Sequence, residues 1–259
     1  MKGVLYYFSG TGNTAWASEM FKKHFKTYGV DIDIVNIEKA NYLNEAYDIL
    51  IIGTPIYYGE SPKIVSKFVK TISSTENKKK CILYCTCKGK GNINLGLLAN
   101  ILRNRGFQVE GQVHIDMPYN FKLCNEEAKE DITDVENILR QADLKIKKIV
   151  KDSLIDKPII ERNQILGSIR HKLICLNSKY RTYRMIKNFN VTRSCSNCGL
   201  CLRNCPEGNI TFDNNKLIFH SNCMLCMRCM HICPNSAITF KGMKIIKNDK
   251  LMLKLVDIV

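Results

Sequence analysis

The sequence lacks several features that would assign it to a function class at once. It has no run of about 18 apolar residues, so we expect no membrane-spanning helix. Met1 and Lys2 lead straight into an apolar stretch, without the small-residue cleavage site of a signal peptide. The five histidines form no cluster. With 13 cysteines in the chain, these absences predict a reducing, cytoplasmic location in which thiols are kept for metal.

Acidic residues are also few, with 24 Asp and Glu against 39 Lys and Arg and a formal net charge of +15. A nucleic-acid-binding protein is the first interpretation of such a balance. The basic residues are scattered, however, and no groove-reading motif accompanies them. We therefore predict no nucleic-acid partner.

The sequence does contain a duplicated cysteine run, C-x2-C-x2-C-x3-C, and a proline follows each copy. The two copies are Cys195, Cys198, Cys201 and Cys205, and, 28 residues later, Cys223, Cys226, Cys229 and Cys233. Structural zinc and disulfides are the alternatives. Zinc sites usually show separated C-x2-C pairs, often with histidine, and need neither a third cysteine nor a Cys-Pro step.

The spacing is that of bacterial iron–sulfur ligation, in which three cysteines hold one cluster and the fourth ligates the other. It predicts one [4Fe–4S] cluster on Cys195, Cys198, Cys201 and Cys233. It predicts a second on Cys205, Cys223, Cys226 and Cys229. The region from Val191 to Phe240 resembles the bacterial two-cluster ferredoxins.

At the other end of the chain, a strand at 2–8 is followed by a glycine and hydroxyl loop and then by a helix pattern. The loop consists of Ser9, Gly10, Thr11, Gly12, Asn13 and Thr14. Backbone N–H groups and the positive end of the helix point at one spot in such a loop, which predicts a phosphate site. The loop also fits the dinucleotide fingerprint G-x-G-x-x-A, but it is not a Walker loop because no lysine precedes Thr14. It resembles the FMN phosphate loop of flavodoxins.

Four further strands alternate with helices and predict a five-stranded, doubly wound parallel sheet, flavodoxin-like α/β in class. They lie at 30–37, 47–53, 80–85 and 107–117. Ligands of such sheets bind at the carboxyl ends of the strands, where two more loops offer candidate FMN contacts. These candidates are Pro55, Ile56, Tyr57, Tyr58 and Gly59 in one loop, and Thr86, Cys87, Lys88 and Gly89 in the other.

In the first of these loops, we expect Tyr57 or Tyr58 to stack on the flavin ring. The alternative is that both tyrosines pack into the domain. In the other, the backbone N–H groups are expected to face the flavin's pyrimidine edge. Lys88 and Lys90 are expected to favour the anionic reduced flavin by their charge.

These patterns divide the chain into four parts. They are an FMN-binding domain at 1–150, a basic helical connector at 151–189, a small α+β ferredoxin domain at 190–243 and a tail at 244–259. Apolar residues at three- and four-residue steps predict that much of the connector is an amphipathic helix. It is expected to pack on a domain, with an acidic partner or a membrane surface as alternatives.

The whole chain resembles the clostridial-type fusions of a flavodoxin to a two-cluster ferredoxin. This resemblance implies an electron carrier that contains FMN and two [4Fe–4S] clusters and serves a redox protein partner that the sequence does not identify. One alternative is a flavin reductase that takes hydride from NAD(P)H and delivers electrons through the clusters. Another is a sensor whose basic connector binds a partner while the clusters report the redox state.

Overall fold

The computed structural model describes residues 1–40, 46–57, 59–89, 95–124, 132–155, 157, 159–160, 184–214 and 216–247. The chain forms two compact units. The first contains Met1–Ser9, Asn13–Pro118 and Asp131–Gln164, and the second contains Gly10–Gly12, Tyr119–Glu130 and Ile165–Val259. No helix in the described ranges is long and apolar enough to cross a bilayer.

The first unit is built on a parallel sheet whose strand order is β2-β1-β3-β4-β5-β6. Its strands are β1 (Lys2–Tyr7), β2 (Asp31–Asn36), β3 (Ile49–Pro55), β4 (Lys80–Cys87), β5 (Gln108–Asp116) and β6 (Ile159–Ile160). The predicted doubly wound sheet is confirmed. The sixth strand was not predicted, and it pairs with Gly111 and Gln112 of β5.

Four helices connect these strands: α1 (Asn13–Lys26), α2 (Lys63–Val69), α3 (Gly96–Arg103) and α4 (Ile132–Leu154). Within the unit α1 packs against α4, and α2 packs against α3. The predicted domain boundary at residue 150 falls inside α4. Residues 125–131, where the long helix was predicted to begin, lie outside the described residues.

The central strands are short apolar runs because both faces of the sheet are covered. All seven residues of β3 are buried. Gly53 of β3 is required by close packing, since a Cβ atom there would collide with the ring and hydroxyl of Tyr84 on β4. The buried Tyr84 hydroxyl in turn contacts the Ser18 hydroxyl at 2.7 Å. The sheet thereby fixes the first turns of α1.

The described residues of the second unit include two small antiparallel strand pairs and two short helices. The elements are β7 (Phe189–Val191), α5 (Leu200–Arg203), β8 (Ile210–Asp213), β9 (Lys216–Phe219), α6 (Arg228–Ile232) and β10 (Ile238–Phe240). β7 pairs with β10, and β8 pairs with β9. Ile210 opposes Phe219, and Ile238 opposes Val191, so the two pairs are related by the 28-residue offset of the cysteine runs.

The backbone repeats at the same offset. Residues with positive φ occur in corresponding places in the two halves: Asn197 and Leu225 (54° and 58°), Gly199 and Met227 (73° and 60°), Gly208 and Ser236 (56° and 45°), and Asn214 and Gly242 (47° and 77°). The duplication seen in the sequence is therefore a duplication of conformation.

The described part of the tail belongs to the second unit. Ile245 is buried in its hydrophobic core with Phe189, Ile210 and Phe240, and it forms a β-bridge with Leu123. The rest of the tail, 248–259, lies outside the described residues, as do residues 161–183 of the connector. The predicted amphipathic helix of the connector falls within 161–183 and therefore lies outside the described residues.

Candidate functional site

The predicted phosphate loop lies between β1 and α1, at the carboxyl end of the sheet. Ser9 and Thr14 are buried, and Gly12 has a φ of 103°. The Thr14 hydroxyl contacts the Thr86 hydroxyl of β4 at 2.7 Å. A hydroxyl group has one donor and two acceptor positions, so this contact leaves each threonine hydroxyl able to form further hydrogen bonds.

The first turn of α1 suits a bound anion. It contains no acidic residue, and its unpaired N–H groups carry the positive end of the helix dipole. The Asn13 amide donates to the Pro118 carbonyl at 2.9 Å. Its buried Oδ1 atom has no hydrogen-bond partner among the described residues. A ligand with both phosphate oxygens and hydroxyl donors would satisfy these groups.

Sequence reasoning missed Asn120. Its side-chain amide donates to the Thr11 hydroxyl at 2.8 Å and to the Thr11 carbonyl at 3.3 Å. Asn120 lies 109 residues after Thr11 in the chain. No local pattern joins the two, so only the strand order could have indicated the contact.

The second predicted loop is a tight turn that follows β3. Ile56 donates to the Thr86 carbonyl at 3.2 Å, and Tyr57 and Glu60 exchange two backbone hydrogen bonds across the turn. Gly59 has a φ of 86°. Tyr57 is half-buried, whereas Tyr58 lies outside the described residues. Stacking of either tyrosine on a flavin remains a prediction.

The third predicted loop begins within β4, because the strand continues through Thr86 and Cys87 and leaves Lys88 and Gly89 beyond its end. The Gly89 N–H group was expected to face the flavin. In the structure it donates to the Asp116 carboxylate at 2.6 Å. Burial raises the pKa of the Cys87 thiol to about 11, and the Asp116 charge adds to this effect. The Cys87 thiol is therefore protonated at neutral pH. Lys90 lies outside the described residues.

All three loops leave adjacent strands. β1 lies beside β3, β3 lies beside β4, and Pro55 is level with Thr86. The carboxyl ends of neighbouring parallel strands meet at one edge, which is where ligands of such sheets bind. The strand order thus brings the predicted FMN residues of the first unit to the same edge.

The eight predicted ligand cysteines fall into two groups within the second unit. One cavity is lined by Cys195, Cys198, Cys201 and Cys233, together with apolar side chains that include Phe212 and Ile238. Burial raises the pKa of the Cys201 thiol to about 11, and the other three cysteines of this group contribute to the rise.

The other four cysteines influence one another in the same way. Burial raises the pKa of Cys223 to about 11 and that of Cys226 to about 12, with Cys205 among the further causes in both cases. Burial also raises the pKa of Cys229 well above its ordinary value, and Cys226, Cys223, Cys201 and Cys205 add to it. Cys201 belongs to the first group, so the two groups are near neighbours, and their assignment to separate clusters remains a prediction.

The geometry of these groups differs from that of a single-ion site. Among the described residues, no three Cys, His, Asp or Glu side chains are close enough to hold one metal ion. Zinc would require four ligands at about 2.3 Å from one centre. A four-iron cluster binds each thiolate at a different corner, so its ligands stand farther apart.

Backbone N–H groups point at the ligand sulfurs. Asn209 donates to Cys205 Sγ at 3.2 Å, and its counterpart Ala237 donates to Cys233 Sγ at 3.2 Å. Such hydrogen bonds stabilise thiolates and help to set the reduction potential of a bound cluster. The residues present therefore fit clusters in both groups.

Comparison with known protein families agrees with this division. A family model described as a flavodoxin domain matches residues 4–93. A model described as a 4Fe-4S dicluster domain matches residues 194–237. No curated protein matches the chain.

Several solved structures are similar to the chain. Oxidised flavodoxin 1 from Bacillus cereus is 20% identical, with 57% of this chain and 98% of that one covered and a TM-score of 0.40. The flavodoxin of Fusobacterium nucleatum bound to flavin mononucleotide is 17% identical, with 60% and 98% covered and a TM-score of 0.42. Rubredoxin oxygen:oxidoreductase from Desulfovibrio gigas is 16% identical, with 59% and 37% covered and a TM-score of 0.40.

The two family matches occupy separate stretches of one polypeptide, and each coincides with a site that was built above from its residues. The chain is therefore a fusion of a flavodoxin domain with a 4Fe–4S dicluster domain of the ferredoxin type.

Proposed function

We propose that this protein is an electron carrier in which one FMN and two [4Fe–4S] clusters exchange electrons. Bound FMN exchanges one or two electrons and each cluster exchanges one, so together they can convert between paired and single electron transfer. The observation that carries the proposal is the pair of four-cysteine runs within the dicluster match at 194–237, in a chain that also has a flavodoxin domain.

The chain's own residues have separate tasks in this proposal. Ser9, Thr11 and Thr14 with the first turn of α1 hold the FMN phosphate, and the loops at 55–59 and 86–89 border the ring. Cys195, Cys198, Cys201 and Cys233 hold the first cluster. Cys205, Cys223, Cys226 and Cys229 hold the second.

The decisive experiment is anaerobic purification with a visible spectrum and quantitation of iron, sulfide and flavin. We expect about eight iron and eight sulfide per chain from two four-iron clusters, together with one FMN. Colourless protein, or zinc in place of iron, would refute the proposal. Cys124→Ser is the matched control for ligand variants, because Cys124 is exposed and belongs to neither set.

A hydride-accepting reductase can be distinguished from a carrier by whether NADH or NADPH reduces its flavin. Anaerobic mixing with NADH or NADPH, followed at flavin wavelengths, should leave a pure carrier oxidised. A chemical reductant such as dithionite should bleach the same sample. Rapid bleaching by either nicotinamide would refute the carrier hypothesis and support the reductase hypothesis.

A further inference from the structure

The two halves of the dicluster domain differ in the residue that precedes the third cysteine of each run. The first run has Leu200 there, and the second has Arg228, 28 residues later. Leu200 is half-buried, whereas Arg228 is only 2% exposed. An arginine side chain keeps its charge in proteins, and fully buried arginines are rare. A fixed positive charge is therefore enclosed in the second half only.

Arg228 is held beside the second cysteine set. Its Nε atom donates to the Gly10 carbonyl at 3.2 Å, and its Nη1 atom donates to the Asn204 carbonyl at 3.1 Å. Asn204 immediately precedes Cys205, and Arg228 itself lies between Cys226 and Cys229. The guanidinium group is thus held by the backbone carbonyl that precedes Cys205.

Arg228 also contacts the second cysteine set directly, because its backbone N–H donates to Cys226. The side chain is enclosed next to the buried Met227. A buried cation is poorly screened by solvent. Arg228 therefore favours added negative charge on a cluster held by this set.

Other charged groups near the two sets are more exposed. The exposed Arg203 donates to the Cys198 carbonyl at 3.1 Å, and the half-buried Lys247 donates to the Cys233 carbonyl. The half-buried carboxylate of Glu207 raises the pKa of Cys223, as the smallest of its causes, and accepts a hydrogen bond from Asn222. Solvent screens such groups more strongly than a buried one. Arg228 is therefore expected to have the largest electrostatic effect.

We propose that Arg228 raises the reduction potential of the cluster held by Cys205, Cys223, Cys226 and Cys229, so that this cluster can be reduced despite its burial. Reduction adds one electron to the cluster, supplied by the reduced flavin or a redox partner, and no covalent bond forms or breaks. Burial opposes the added negative charge, and a nearby fixed cation favours it. This inference rests on the proposed function.

The test compares Arg228→Gln, which keeps hydrogen-bond donors but loses the charge, with Arg228→Lys, which keeps the charge. Arg203→Gln is the matched control, because it removes an exposed arginine from the first set. Each variant is titrated anaerobically with dithionite and followed by electron paramagnetic resonance. Iron, sulfide and flavin are quantified in the same samples.

For Arg228→Gln we expect at least a tenfold fall in the equilibrium constant for reducing one cluster, equivalent to 59 mV for a one-electron step. The other cluster should be unchanged. Arg228→Lys should restore most of the potential, and Arg203→Gln should change neither cluster by more than about twofold. Arg228→Gln protein with full iron content and wild-type potentials would overturn the inference, and so would equal shifts in the Gln and Lys variants.

If Arg228→Gln fails to retain its iron, Leu200→Arg decides the question. The added charge should raise the potential of the first cluster, and an unchanged potential would overturn the inference. A wild-type protein with only one cluster would instead refute the proposed function, so the two failures are distinguishable by iron content.

Discussion

The two cysteine runs have the same spacing and the same backbone turns, but the residues between their cysteines have different surroundings. In the first run Asn197 and Cys198 are exposed. In the second run Leu225 is 4% exposed and Met227 is 6% exposed. The duplicated backbone thus places the sulfurs in both halves, while the side chains between them give each half its own access to solvent. Ligand geometry and cluster environment are separate properties of this domain.

The largest expected difference between the halves concerns loss of a ligand. Cys226→Ser should remove the second cluster and about four iron atoms per chain, because the buried neighbours Leu225 and Met227 limit the access of water to the position of the lost thiolate. Cys198→Ser should retain most of its iron, because Cys198 is exposed and water can take the open position. Iron and sulfide analysis of anaerobically purified variants measures both. Equal losses would show that the two sites are enclosed to the same degree.

A smaller effect is expected on the rate of cluster loss. An iron chelator with a mild oxidant should bleach wild-type protein in two phases, with the first cluster lost several-fold faster because it lies beside the exposed Asn197 and Cys198. Visible absorbance combined with electron paramagnetic resonance assigns each phase to a cluster. A single phase, or earlier loss of the second cluster, would contradict the comparison.

The smallest effect concerns the corresponding turns at Gly208 and Ser236, whose φ angles are 56° and 45°. A Cβ atom on Gly208 would meet no atom within 4 Å, so Gly208→Ser tests backbone strain alone. It should destabilise the protein by about 1 kcal/mol or less, since an L-residue in this region costs about 1–2 kcal/mol and the stiffer unfolded chain returns part of that. Ser236→Gly should change stability by about 0.5 kcal/mol or less. Denaturant titrations of both variants check whether the turns are equivalent.

Much of the fold could be predicted from the sequence, whereas the ligand grouping of the cysteines stays a prediction. The strands were recognisable because buried strands are apolar runs, and β3 is buried along its whole length. The repeated Cys-Pro step indicated that the fourth cysteine of each run would join the other set. β6 could not be predicted, because the two residues Ile159–Ile160 are too few to form a pattern and become a strand only by pairing with β5.

The surroundings of the sites were harder to predict than the sites. Leu225 and Met227 adopt positive φ angles of 58° and 60°, which their residue types do not indicate. Arg228 is buried, although arginine is typically exposed; its occurrence at the position of Leu200 in the repeat was a visible signal. The Asp116 carboxylate that accepts the Gly89 N–H lies on another strand. In each case tertiary packing decides, and a local pattern carries no information about it.

The exchange of the fourth cysteine between the halves has a consequence for biosynthesis. Cys233 stands with Cys195, Cys198 and Cys201, so neither set of four is complete while the ribosome is still translating the first run. The second set is completed at Cys229, and the first at Cys233. With the proposed ligands, iron can therefore be inserted with full ligation only after the second run has emerged as far as Cys229, and into the first set only after Cys233. The strands of the first unit, which end at Ile160, precede both runs in the chain.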